Sequence, residues 1–289
     1  MSSSRSSLWR LLAFAAALLA LERAGFARAD GPSDAARLAD QGLALLLPDD
    51  AASFERAGEL FQAALQADPK LYRARADQAL LELLVAAARR DEAAPLDAGE
   101  GDALRQSSRD LRERALDELR PLVREHAQDP AVVRALAVYY GLDGNGTQTA
   151  KLVAQARARG SDPWIDFAEL AADLQNASPD AAASRLTAFA TAHPTLLRAR
   201  MMLARAQLDR SGPQETLVTL DDVLGANPRH ELAVAMKARL LAPPPARVAA
   251  VPTPPDGPPP QKPGHLPRKR NGVDAAPDVQ RATAPPADR

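Results

Sequence analysis

The 289-residue sequence has no cysteine. That excludes a disulfide framework, a thiolate nucleophile, a cysteine-based zinc site and lipid attachment at a Cys. Aromatics are only 4% of the chain, and β-branched residues are sparse. Strands favour those side chains, so a β architecture is not expected. Neither sign of charge is in excess: 36 basic and 37 acidic residues give a formal net charge of -1. The chain lacks the basic field that nucleic-acid binders use, and nucleic acid is not expected as a partner. HExxH, a nucleophile elbow, a phosphate loop and a dinucleotide fingerprint are all missing. No catalytic residue, metal or cofactor is therefore expected.

Ala and Leu supply most of the 46% hydrophobic content. Both are strong helix formers, which predicts an all-α fold.

The N-terminus has the three-part layout of a secretory signal. Arg5 and Arg10 precede an apolar run from Leu11 to Leu21 (LLAFAAALLAL), and Ala27-Arg28-Ala29 gives a small-x-small cleavage pattern before Asp30. The run is shorter than the ~20 residues of a spanning helix, and Glu22-Arg23 follow it at once. Residues 1–29 are expected to be a signal peptide cleaved near Ala29, leaving an exported, periplasmic or secreted chain with no transmembrane segment. A retained signal anchor is the alternative.

Fourteen of the 25 prolines lie between Pro243 and Arg289. So Pro-rich a segment buries too little apolar surface to offset its ordering entropy, and residues 243–289 are expected to form a disordered tail with polyproline II character. Its Pro267-Arg268-Lys269-Arg270 is either a weak site for anionic lipid, acidic polymer or nucleic acid, or part of a solubilising linker. Pro252-Thr253-Pro254-Pro255 resembles a PxxP ligand, as chance allows in such a segment.

Between the two ends the chain repeats. Pro69, Pro130 and Pro194 are each followed four residues later by an arginine: Arg73, Arg134 and Arg198. Pro163 and Pro228 open two more units, and the spacings from Pro130 onward are 33, 31 and 34 residues. A period near 34 marks a helix-turn-helix array. Within a unit the apolar residues keep helical spacing. Leu196-Leu197, Met201, Leu203-Ala204 and Leu208 form one stripe, and Leu217, Leu220, Val223 and Leu224 a second, with Ser211-Gly212-Pro213 between them. Asp68, Asp129, Asp162 and Asn227 precede prolines and are placed to cap the turns there.

These units resemble the tetratricopeptide repeat. That family's spacing of small, bulky, small and proline residues is met by Ala57, Phe61, Ala64 and Pro69, and by Ala182, Leu186, Phe189 and Pro194. Thr216, Leu220, Val223 and Pro228 meet it with Thr in the small slot. The resemblance covers residues 33–241. It implies a right-handed superhelix of about five antiparallel helix pairs, closed by a helix near Glu231–Leu241. The pattern departs from the family in lacking the bulky aromatics of the first helices. The unit of Ala150, Ala154 and Pro163 is one residue out of register. Residues 91–110 (DEAAPLDAGEGDALRQSSRD) read as an inserted loop, and Pro121 should kink or split the helix near Leu111–His126.

In this family the first helix of each pair lines a concave groove. By register Arg73, Arg134 and Arg198 share one place on three first helices, and Arg205 and Arg239 share another, 34 residues apart. The resemblance implies a groove in which these guanidiniums grip an acidic peptide or C-terminus of a partner protein. The alternative is a solvated face whose arginines pair with nearby acids. The four histidines are scattered; His126, His193 and His230 lie beside prolines at unit junctions and read as caps or surface residues. Asp143-Gly144-Asn145-Gly146-Thr147 starts like a calcium loop but lacks the downstream Glu, and reads as a turn. Asp49-Asp50 and Asp221-Asp222 are adjacent, so their side chains should diverge. Asn145-Gly-Thr147 and Asn176-Ala-Ser178 fit the glycosylation pattern but are discounted in so bacterial-looking a composition.

Three functions remain. The first is a non-enzymatic interaction scaffold of the cell envelope, an exported bacterial tetratricopeptide-repeat protein. The second is an accessory or regulatory subunit of an envelope enzyme. The third is an enzyme with an unrecognised site.

Overall fold

The computed structural model describes residues 32–242 apart from residues 98 and 161. The expected signal peptide, with its cleavage site near Ala29, and the expected Pro-rich tail lie outside the described residues, as does His265. Eleven helices and no strand occur among the described residues. They are α1 (Pro32–Ala44), α2 (Ala51–Ala67), α3 (Tyr72–Ala93), α4 (Asp102–His126), α5 (Pro130–Leu142) and α6 (Gly146–Arg157), followed by α7 (Pro163–Leu174), α8 (Pro179–Ala192), α9 (Leu197–Ser211), α10 (Pro213–Ala226) and α11 (Glu231–Leu241).

Local chemistry sets the boundaries. Pro130 and Pro163 open α5 and α7, where a missing N–H costs nothing. Asp129 and Asp162 cap those helices by accepting from the backbone of Ala131 and Trp164. Asp68 and Asn227 act one turn earlier. Each accepts from the N–H two residues on, at Lys70 and Arg229, and the helix begins only after that turn, at Tyr72 and Glu231. Asn145 caps α6, so the calcium-like segment is an inter-helix turn. Gly212, at φ 84°, lets the chain reverse between α9 and α10 without the penalty a Cβ would bring.

Two expectations are corrected. The connection read as a loop over residues 91–110 is largely helical: α3 runs to Ala93 and α4 starts at Asp102. Its polar residues have found partners. The Ser108 hydroxyl donates to the Ala86 carbonyl, and Arg105 donates to the carbonyls of Ala93 and Leu96. Pro121 lies inside one continuous helix and does not split it. The proline is on the exposed face, while Leu119 and Leu122 are buried on either side of it.

Each helix packs on the next, from α1 to α11, and α1, α3, α5 and α7 also pack each on the one before. The ladder helices are therefore buried on several sides. In α5, Ala131, Val132, Val133, Ala135, Ala137, Val138 and Gly141 are all buried, whereas in α6 only Thr149 and Val153 are. At Gly141 the contact is so close that a Cβ would stand 2.4 Å from the Ala168 carbonyl oxygen of α7. The residues with tetratricopeptide spacing in α2 and α10 are all buried: Ala57, Phe61 and Ala64, and Thr216, Leu220 and Val223.

The main core runs from Ala39 to Ala168 and also takes in Leu196 and Ala199 at the start of α9. The late helices thus meet the early ones. The Leu197 N–H donates to the Leu47 carbonyl at 3.1 Å, and the Asn227 amide donates to Asp50 at 2.7 Å.

Candidate functional site

Four of the five arginines of the expected groove pair with carboxylates of the chain itself. Arg73 and Arg134 flank Asp77 of α3. Arg134 bonds Asp77 and Asp162 at 2.7 Å each, and Arg73 pairs with Asp40 at 3.2 Å. Arg198 and Arg205 meet at Asp91, each 2.9–3.0 Å from a carboxylate oxygen. Arg198 is only 2% exposed, and its other arm holds Asp49 at 3.0 Å. Arg239 is exposed and makes no ion pair among the described residues. These ion pairs join helices: Arg73 to α1, Arg134 to α3, and Arg198 and Arg205 to the end of α3.

The adjacent aspartates diverge as expected. Asp50 caps α2 through Ser53, while Asp49, at φ 52°, turns inward to Arg198. Burial pushes the Asp49 carboxyl up, and the guanidinium works against it. Asp77 is pushed up to about 6 by burial, again against its arginine. Arg198 is held above the ordinary guanidinium value, because Asp49 and Asp91 outweigh its burial.

The histidines occupy structural places. His126 stacks on Tyr72 with ring centroids 3.9 Å apart, and His193 lies 3.4 Å from Asp166. His230 caps α11: its Nδ1 accepts from the Ala233 N–H, which leaves the ring proton on Nε2. Burial lowers its pKa, so the ring is neutral, and Nε2 has no hydrogen-bond partner.

His230 also borders a groove of about 790 Å³ between α2, α3 and the start of α11. Phe54, Leu81, Val85 and Leu232 supply apolar surface. Around it stand Glu55, Glu92 and Glu231, none in an ion pair among the described residues, Glu59, which pairs with Arg56, and one cation, Arg89, which donates to the Ser107 hydroxyl. Burial, and after it the nearby Glu231 and Asp91, push the Glu92 carboxyl up against the pull of Arg89.

Comparison with family models, with curated proteins and with solved structures finds no match. The site is therefore read from its own chemistry. The groove combines apolar surface, three carboxylates outside any ion pair among the described residues, and the guanidinium of Arg89. Among the described residues, no group of three or more His, Asp or Glu could hold a metal ion. No described helix is long and apolar enough to cross a membrane.

Sequence reasoning missed this groove because its walls come from helices far apart in the chain. One local signal was present: Leu81, Val85, Ala88 and Glu92 follow at helical spacing along α3, and all four line it.

Proposed function

We propose that this chain is a non-enzymatic interaction protein of the cell envelope, built from tetratricopeptide-like helix pairs wound in a right-handed superhelix. It holds a basic, partly apolar segment of a partner protein in the groove between α2, α3 and α11. The observation that carries the reading is the set of unpaired carboxylates, Glu55, Glu92 and Glu231, around an apolar surface. A Lys or Arg flanking a buried apolar residue answers both features. The charge of the partner is thus opposite to the one expected from the arginine register.

The test is fluorescence anisotropy with a short labelled peptide of Leu and Lys and its Leu–Glu counterpart. The Lys peptide should bind and the Glu peptide should not; equal affinity for both would overturn the reading. Export is tested separately. Cell fractionation with N-terminal sequencing should find a chain starting near Asp30 in the envelope fraction, and a full-length cytosolic chain starting at Met1 would overturn it.

A further inference from the structure

A second cavity, of about 210 Å³, lies between α3, α4 and the end of α5. Four arginines line it: Arg90 from α3, and Arg105, Arg109 and Arg112 from α4. Two already have carboxylates, Arg105 with Asp102 at 2.9 Å and Arg112 with Asp143 at 2.6 Å. Arg109 bonds only the side chain of Gln106, and Arg90 makes no ion pair or hydrogen bond among the described residues. Partial burial, with the guanidiniums of Arg198, Arg112 and Arg205 near by, depresses Arg90 despite the pull of Asp91. Arg112 stands 5.5 Å from the ring centre of Tyr139, and Leu83, Ala87 and Leu142 complete the lining with apolar surface.

Four like charges brought to one small cavity repel one another unless an anion joins them. Asp102 and Asp143 offset two, which leaves Arg90 and Arg109 without a counter-charge. A single carboxylate supplies one negative charge and two oxygens. A phosphate monoester supplies close to two charges and three oxygens, and guanidinium forks match those oxygens bidentately. A solvated arginine face would explain α4 alone. It does not explain why Arg90 comes from a second helix to the same cavity, or why that cavity has an apolar side. We propose that this pocket binds a small, soluble phosphate monoester, its phosphate among Arg90, Arg109 and Arg112 and its organic part against Leu83 and Leu142.

This inference is independent of the peptide groove. It is tested by isothermal titration calorimetry on the full chain at low salt, with inorganic phosphate, glycerol 3-phosphate and malonate as probes. Both phosphates should bind, glycerol 3-phosphate the tighter, and malonate should bind more weakly. The double variant Arg90→Ala/Arg109→Ala should weaken phosphate binding by at least about tenfold, or 1.4 kcal/mol. Arg90→Lys/Arg109→Lys should fall between, since charge is kept and the fork is lost. Circular dichroism melts check that the fold persists in both variants. Four results would each overturn the proposal: no phosphate binding by the unmodified chain, unchanged binding by the double alanine variant, malonate as tight as glycerol 3-phosphate, or binding to phosphatidic acid vesicles without binding to glycerol 3-phosphate.

Discussion

Helix α3 borders two cavities whose charged linings differ: glutamates predominate around one and arginines around the other. Leu81, Val85, Ala88 and Glu92 line the groove, while Leu83, Ala87 and Arg90 line the arginine pocket. At 3.6 residues per turn the two series lie about half a turn apart, so they occupy opposite faces. Both rest on the same fully buried residues, Leu80 and Leu84. The difference comes from the neighbours: α2 and α11 bring glutamates to one side, and α4 brings arginines to the other. A net charge of -1 hides this segregation. What matters for recognition is which charges the fold leaves without a partner.

The strongest way to break the comparison is Arg198→Ala. It strands Asp49 in the interior, while Asp91 keeps Arg205, and should cost about 3–5 kcal/mol, read as a lowered urea midpoint. Where the variant still folds, it should loosen α9 to α11 and with them one wall of the groove. The Leu–Lys peptide should then bind poorly while phosphate still binds. Parallel loss of both ligands in a variant with intact helicity would show that the two faces are not separate.

Asp77 probes the same helix from within the core. Its folded pKa of about 6 lies above the unfolded value of about 4. The folded state therefore takes up this proton first, and the group's contribution to stability rises as pH falls from about 7 to 4. The full effect is up to about 3 kcal/mol, since each unit of pKa difference is worth about 1.36 kcal/mol. Urea unfolding of Asp77→Asn beside the unmodified chain should give a gap that changes through this window and levels off below it. A gap independent of pH would mean that Asp77 does not titrate there.

Charge reversal in the groove sharpens the contrast without touching the core. Glu92→Lys/Glu231→Lys should weaken the Leu–Lys peptide by at least about tenfold, or 1.4 kcal/mol, in the anisotropy assay. Stability should move by no more than about 0.5 kcal/mol, and phosphate affinity should not fall. The smallest effect is expected for Arg239→Ala, within about 0.5 kcal/mol and silent in both titrations, because this exposed side chain holds no carboxylate. A clear loss of peptide binding there would return Arg239 to the site.

The helices were legible because their signals are local. Proline and its capping Asp mark the starts of α5 and α7, Gly212 marks a reversal, and apolar stripes show which faces turn inward. The partners of the arginines were not legible locally. Arg198 and Asp49 are 149 residues apart, and nothing in either neighbourhood announces the other. The polar stretch of residues 91–110 misled for a related reason: Ser108 and Arg105 take partners from the preceding helix and its connector. A charge's role depends on whether the fold finds it a counter-charge, and spacing alone does not record that.

The junction where Leu197 meets Leu47 and Asn227 meets Asp50 has a consequence for how this chain can change over time. Arrays of stacked units usually lengthen by duplicating one, because each unit touches only its neighbours. Here an extra unit would carry α9 away by the width of a helix pair, on the order of 10 Å per helix. Arg198 would lose Asp49, and both ends of the core would open together. Insertion or loss of a helix pair between α2 and α9 would therefore break these contacts, whereas a single substitution elsewhere leaves them in place.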